Sequence, residues 1–279
     1  MTTNRFITGI YNYCDYWCER CAFTKRCRNF VSARADREQT RVGDEDSPPD
    51  ADTTNAAFWD TLAEQLREIS IFGKTEPDAL ESPDEVFEPD DGLDDDWLEQ
   101  DEKRREDVER HPLMILSRDY MMKVHEWLKT ADGDLKAVAE GMLEDAANPF
   151  VKDDVEEQAR EIGEMIDVVA WYHTLIPSKL GRAVHGILDP GEGEGEVAAI
   201  IAESRCSDAN GSGKVALIGV ERSIAAWLKL RDILPAKEDF ILSMLAILDR
   251  IRRRIHIDLP DSVTFRRPGF DGDDVVLFD

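Results

Sequence analysis

Basic residues are scarce in this 279-residue chain, which has 34 Lys and Arg against 60 Asp and Glu. The formal net charge is −26 at neutral pH. Nucleic acids and anionic membranes are polyanions and would repel such a surface. We therefore expect neither nucleic acid nor a membrane among the main partners. The dense carboxylate surface also fits a high-salt cytoplasm, where it would keep the protein soluble.

Long apolar runs are absent as well. No stretch approaches the roughly 18 apolar residues that a membrane-spanning helix needs. Residues 1–10 are too short and too polar to form the apolar part of a signal peptide. Both absences predict a cytoplasmic location. That compartment is reducing, and there clustered cysteines favour metal binding over disulfides.

Histidine is also rare, and several familiar cofactor motifs are missing. None of the five histidines follows a glutamate by three residues, so the Glu-x-x-His motif of di-iron helical bundles is absent. The glycine-rich segment at 208–215 has Asp208 and Val215 where a nucleotide-binding P-loop needs glycine and a hydroxyl residue. The acidic residues at 90–96 do not complete a calcium-binding loop. No catalytic residue is identified.

Alternating patterns typical of strands are nearly absent, and apolar residues instead recur at helical spacing. This periodicity starts at Pro112, which suits the first position of a helix. Residues 131–133, Pro177 and a loop at 207–213 are predicted to interrupt it. Consecutive amphipathic helices with short connections predict an all-α fold, an antiparallel helical bundle.

Composition divides the chain into four parts. Residues 1–35 form a cysteine-rich module, residues 36–54 an acidic linker, residues 55–258 the helical bundle and residues 259–279 an irregular tail. An acidic disordered loop at 75–102 interrupts the bundle, since it has fourteen Asp and Glu, no Lys or Arg, and three prolines.

Four of the five cysteines fall within fourteen residues, at Cys14, Cys18, Cys21 and Cys27. Four thiolates complete a tetrahedral zinc shell or hold an iron–sulfur cluster. Residues 1–35 carry six Lys and Arg against two Asp and Glu, so this module alone is net basic. The positive charge would offset that of the thiolates. The module is therefore predicted to bind a metal centre through these four cysteines.

The spacing favours an iron–sulfur cluster over zinc. Zinc modules usually bring two separated C-x2-C pairs, and here only Cys18 and Cys21 form one. Ligands packed into one loop are typical of clusters. The leading hypothesis is a 4Fe-4S cluster in electron transfer or redox-linked chemistry, with a redox partner. The alternative is a structural zinc module on a helical scaffold that binds a protein partner and catalyses nothing, so whether the protein is an enzyme stays open.

A local resemblance supports cluster binding. Cys18 and Cys21, followed by Phe23 and Cys27, resemble the C-x2-C-x5-C core of the auxiliary cluster-binding segment in some radical-SAM maturases. An aromatic residue follows the middle cysteine in that family too. The resemblance covers about ten residues. It implies cluster ligation, with the fourth ligand at Cys14, upstream rather than downstream.

A second resemblance gives a third alternative. Cys14, Cys18 and Cys21 are similar to the C-x3-C-x2-C motif that binds the catalytic cluster of radical-SAM enzymes. It implies a βα barrel and a cluster with one iron open to the cofactor. Here Cys27 is available to close that position, and Arg20 stands where the family usually has an aromatic residue.

Polar residues on the predicted helices suggest a pocket between them. His173 and Arg182 are the candidate cofactor-binding residues, because polar groups on half-buried helix faces can line such a pocket. The competing interpretation is structural, since such side chains are mostly satisfied by hydrogen bonds or extend to solvent.

Overall fold

The computed structural model confirms the all-α class for the part of the chain that it describes. The described residues are 6–34, 95–146, 155–189 and 195–272. Within them the chain forms helices and turns and no strand. No helix among them has both the length and the apolar character of a membrane span. The predicted linker at 36–54 lies outside the described residues.

Five long helices lie in these ranges, and short 3-10 turns flank them. The long helices are α1 (Asp95–Arg110), α2 (Pro112–Ala146), α3 (Val155–Leu188), α4 (Glu196–Ile233) and α5 (Glu238–Asp258). The 3-10 turns are Cys18–Arg20, Thr24–Arg26, Pro235–Lys237 and Pro260–Ser262. The start of α2 at Pro112 is as predicted.

The predicted acidic loop at 75–102 is wrong for residues 95–102, which form the first half of α1. Residues 75–94 lie outside the described residues. The three prolines all precede α1, so nothing in its own sequence breaks a helix. Arg105 also pairs with Asp101, one turn earlier, at 2.7 Å. Such pairs offset the repulsion between carboxylates on one helix face.

The interruption predicted at 131–133 is wrong, because α2 runs through it without a break. A glycine inside a helix costs only about 1 kcal/mol relative to alanine. Pro177, predicted to end or kink its helix, lies buried inside α3, which continues to Leu188. Local penalties at single residues therefore did not end these helices.

The loop predicted at 207–213 is also wrong, since these residues belong to α4. Gly211 and Gly213 are buried in this helix. A Cβ atom on Gly211 would overlap the ring of Tyr13, and one on Gly213 would lie 3.0 Å from Cβ of Ser262. The glycines thus serve close packing rather than a turn.

Helices α2 to α5 pack around one hydrophobic core. α3 contacts α2 and α4, and α5 contacts α4 and α2. Tyr120 of α2 and Trp227 of α4 are fully buried at the core. The indole Nε1 of Trp227 donates to the Tyr120 hydroxyl at 3.1 Å, which satisfies a buried polar pair.

Internal contacts divide the chain into two units. The main unit comprises Met1–Cys27 and Glu99–Asp279, and the second unit comprises Arg28–Leu98. The cysteine-rich residues and the core helices therefore belong to the same unit. Residues 28–34 are helical and belong to the second unit.

Candidate metal centre

The four clustered cysteines lie in a segment that packs on the helical core. We call residues 14–27 the cysteine segment. Directly before it, the Tyr13 ring lies against Gly211 of α4 and edge-on to Phe265, with ring centroids 4.9 Å apart. At the other end of the segment, the backbone carbonyl of Arg26 accepts a hydrogen bond from the amide of Ile7 at 3.0 Å.

Asp15 fastens the segment to two helices. Its Oδ2 accepts a hydrogen bond from the Tyr172 hydroxyl at 2.7 Å and another from Nη1 of Arg222 at 2.8 Å. Its carbonyl oxygen accepts from the indole Nε1 of Trp171 at 2.9 Å. Burial, and next the bond to Asp15, raise the pKa of Tyr172, so this phenol stays a neutral donor.

Aromatic stacking adds a second attachment. The ring of Trp17 stacks on Trp171 of α3, with centroids 5.1 Å apart and planes 14° from parallel. The Arg20 guanidinium lies 4.1 Å from the centroid of Trp17 and pairs with Asp167 of α3 at 2.8 Å. Stacking and the ion pair therefore hold one face of the segment against α3.

The backbone turns sharply between the first two cysteines. Tyr16 has φ of 56°, which makes it the one non-glycine residue with a left-handed conformation among the described residues. A 3-10 turn follows, in which the Cys21 amide donates to the Cys18 carbonyl at 3.2 Å. Cys21 follows this turn with an extended backbone, and its charge acts on Cys18, so the two thiols are near neighbours.

One of these thiols already accepts a backbone hydrogen bond. The Phe23 amide donates to Sγ of Cys21 at 3.4 Å. Upstream, Sγ of Cys14 donates to the Tyr11 carbonyl at 3.5 Å. An amide directed at sulfur stabilises the thiolate more than the thiol, because the thiolate is the stronger acceptor.

Burial opposes the ionisation of Cys14 and Cys18. All four are half-buried free thiols. Burial raises the pKa of Cys14, and the nearby Lys179 ammonium lowers it. Burial, and next the charges of neighbours that include Cys21 and Cys27, raise the pKa of Cys18. The mutual effect means that these three thiols are neighbours, whose charges together would need a cation.

The donor chemistry fits zinc or an iron–sulfur cluster, since both take four thiolates. In the described ranges, however, no group of three or more His, Cys, Asp or Glu side chains is placed to hold a metal ion. The structure thus gives the predicted ligands as neighbours along one docked segment. The four sulfur atoms are not arranged around a common point where an ion could bind.

Lys179 is a site residue that sequence reasoning missed. Its side chain is 4% exposed, and its Nζ lies 4.6 Å from the ring centroid of Tyr16. Burial lowers the pKa of Lys179, and the charge of Cys14 raises it. A signal was present in the sequence: Lys179 falls on the buried stripe of α3, one turn from Ile176 and Ala183.

A cleft of about 350 Å³ lies beside the cysteine segment. Trp17, Arg20 and Cys21 line one side of it, and Arg222 and Phe270 also line it. Its volume is that of a small-molecule site. Both arginines already pair with carboxylates, and these ion pairs join the cysteine segment to α3 and α4.

The two predicted pocket residues, His173 and Arg182, do not line the same cavity in either of these two cases. Arg182 lines a second cavity of about 530 Å³, where its Nε donates to Asp208 at 2.6 Å. His173 is buried, with its Nδ1 2.6 Å from the Ala170 carbonyl oxygen. Its ring stacks on His125 at 6.1 Å, and burial lowers its pKa. His173 thus has a structural environment, whereas Arg182 lies at an open cavity.

No protein-family model, curated protein or solved structure matches the chain. Its own residues therefore have to carry any functional assignment.

Proposed function

We propose that Cys14, Cys18, Cys21 and Cys27 bind a metal centre, and that this centre is an iron–sulfur cluster used in electron transfer or redox-linked chemistry. The observation that carries the proposal is the turn at Cys18–Arg20. It keeps the thiols of Cys18 and Cys21 near each other, and the amide of Phe23 donates to Sγ of Cys21. Hydrogen bonds to sulfur are one of the means by which proteins set the potential of a cluster.

A bound metal would offset the effect of burial, which opposes the ionisation of Cys14 and Cys18. Thiols must lose their protons to bind a metal, and a bound cation removes the repulsion between their charges. The four half-buried cysteines lie on one short segment, and metal binding would require their side chains to turn toward one another. The rings of Trp17 and Phe23 lie next to the ligands and would limit the access of water. When bound, the cluster would supply one-electron transfer.

The position of the segment supports exchange of electrons with a partner protein. The cysteines are half-buried rather than enclosed in the helical core. A redox partner could therefore approach the centre from solvent. We place the protein in the cytoplasm as part of this proposal, because a reducing compartment keeps the four thiols available.

We also infer that α2 to α5 form an antiparallel bundle. Each of these helices contacts two others, and they follow one another in the chain. The connection between α4 and α5 is a single 3-10 turn, Pro235–Lys237, which suits helices that run in opposite directions. Such a bundle would give the cysteine segment a rigid platform on α3 and α4.

Serine substitutions test the metal proposal. Replacing Cys14, Cys18, Cys21 or Cys27 singly should reduce the bound metal after anaerobic purification, because serine is a poor ligand for iron and zinc. Cys206 is exposed and stands apart on α4, so Cys206→Ser is the matched control and should retain full metal content. Equal metal content in all five variants would contradict the proposal.

A structural zinc site is the second candidate, and the attachment of the segment favours it. Asp15, Trp17 and Arg20 already fix the segment to the helices. A closed four-thiolate zinc ion would complete that attachment and contribute folding free energy. Redox silence together with unfolding by a chelator would identify this case. The described residues contain no strand, unlike the βα barrel of radical-SAM enzymes, and we do not propose that activity.

A further inference from the structure

The cavity of about 530 Å³ at Arg182 is lined by polar side chains from two helices. Arg182 and His185 come from α3, where residues three apart share a face, and Arg205 comes from α4. Tyr13 also lines the cavity. The volume is within the range of small-molecule sites. The cavity therefore has the size of a ligand site and a lining rich in hydrogen-bond donors.

The two helices pack closely beside this cavity. A Cβ atom on Gly186 would lie 2.9 Å from Cβ of Ala209 and 3.3 Å from the carbonyl oxygen of Arg205. The side chains of Arg182 and Arg205 start from this close approach, and they are 48% and 43% exposed. Both guanidiniums can therefore meet a ligand that enters from solvent, while their backbones are held by helix packing.

Arg182 is oriented by a carboxylate that uses only part of its guanidinium. Its Nε and Nη2 donate to the two carboxylate oxygens of Asp208, at 2.6 and 2.5 Å. A guanidinium has five N–H donors in one rigid plane, and this pair uses two of them. Within the described ranges, Nη1 of Arg182 has no hydrogen-bond partner. Asp208 thus fixes the plane of Arg182 and leaves its outer edge, formed by Nη1 and Nη2, open to a second oxyanion.

Arg205 adds a second cation, and its carboxylate partner is shared. Nη1 of Arg205 lies 2.7 Å from Oδ1 of Asp189, and Nη1 of Arg104 lies 3.2 Å from Oδ2 of the same residue. Together with the pair of Arg182 and Asp208, these groups carry three positive charges against two negative ones. Nε and Nη2 of Arg205 make no hydrogen bond to any described residue. In a chain with a net charge of −26, this local excess would attract a small anion.

We propose that this cavity binds the phosphate group of a small molecule, held by the outer edge of Arg182, by Nε and Nη2 of Arg205 and by the His185 imidazole. Phosphate has oxygens in several directions and suits donors from two helices, whereas one guanidinium satisfies a carboxylate, as at Asp208. The cavity is larger than a phosphate ion, which leaves room for the rest of the ligand. None of these groups belongs to the cysteine segment, so the inference is independent of the proposed metal centre.

The test measures the binding of inorganic phosphate to the full chain by calorimetry. Succinate is the carboxylate probe, and all titrations use one ionic strength, because salt screens exposed charges. The test variant is Arg205→Gln, which leaves Asp189 its ion pair with Arg104. The matched control is Arg118→Gln. Arg118 is 46% exposed and pairs with Glu109 at 3.2 Å, much as Arg205 pairs with Asp189, but it does not line this cavity.

We expect saturable phosphate binding by the wild type and about tenfold weaker binding by Arg205→Gln, because charge-assisted hydrogen bonds are lost. Arg118→Gln should change the affinity by less than about twofold. Arg182→Lys should weaken binding by about fivefold although it keeps the charge, since an ammonium group cannot bond Asp208 and a phosphate along two edges of one plane. The urea midpoint of each variant shows whether it remains folded.

Several results would overturn the inference. These are the lack of saturable phosphate binding by the wild type, equal weakening by Arg205→Gln and Arg118→Gln, and tighter binding of succinate than of phosphate. If Arg205→Gln lowers the urea midpoint, Arg182→Lys decides the question, because lysine can retain an ion pair with Asp208. Unchanged phosphate affinity in Arg182→Lys would then contradict the proposed site.

Discussion

Tyr120 shows how single buried groups set the stability of the helical core. It is fully buried and accepts a hydrogen bond from Trp227. Burial raises the pKa of Tyr120 from its ordinary value of 10.0 to about 12. The folded protein therefore keeps this phenol neutral at a pH where the unfolded chain has begun to ionise it.

The sign of the pH dependence follows from linkage. Tyr120 contributes stability that is fully present below pH 10 and is lost as the pH rises toward about 12. Tyr120→Phe should flatten the alkaline fall in the free energy of unfolding, measured by urea titration across that range. It should also lower stability at neutral pH by about 1–3 kcal/mol, because Trp227 loses its acceptor. An identical alkaline slope in both proteins would contradict this account.

At the residue scale, sequence predicts donor chemistry better than it predicts surroundings. The four clustered cysteines are visible by spacing alone, and their metal binding stays a prediction. The partners of Asp15 lie 157 and 207 residues away along the chain, at Tyr172 and Arg222. No local pattern encodes such contacts.

At the scale of elements, the residue that precedes the cysteine segment packs directly on α4. Gly211 lies where the Tyr13 ring crosses the helix, and there is no room for a Cβ atom. Tyr13 directly precedes Cys14. The glycine that would weaken an isolated helix thus permits the close approach of the segment.

A pair of glycine substitutions tests this role. Gly211→Ala should lower the free energy of unfolding by about 1–3 kcal/mol through overpacking, and it should weaken zinc binding by displacing Tyr13. Gly163→Ala on α3 is the control, since a Cβ there meets nothing within 4 Å. It should raise stability by about 0.5–1 kcal/mol through helix propensity. Thermal or urea unfolding of both variants checks the difference, and equal effects at the two positions would rule out the packing explanation.

The two wrong helix interruptions on α2 and α4 have a common cause. Sequence rules assign turns to glycine-rich segments because of their local conformational freedom. In α4 the burial of residues from Ala209 to Leu230, Gly211 and Gly213 among them, outweighs that local cost. Helix starts are predicted better, as at Pro112, because proline suits the first helical position.

At the scale of the whole molecule, charge separates the candidate site from the rest of the chain. The net charge is −26, whereas residues 1–35 have an excess of four positive charges. Arg20 carries part of that positive charge, and its ion pair with Asp167 attaches the cysteine segment to α3. The all-α class follows from periodicity alone, and the docking of the cysteine segment depends on contacts that only the folded chain reveals.

Metal and sulfide analysis of the unsubstituted protein tests the central claim most directly. The full chain would be purified without oxygen, and its iron, acid-labile sulfide, zinc and visible spectrum would be measured. We predict a coloured protein with iron and sulfide in equal amounts, bound through the four cysteines. A colourless protein with one zinc ion per chain would replace the redox function with the structural one. A chain free of iron and zinc, which also takes up neither on reconstitution, would contradict the proposed metal centre.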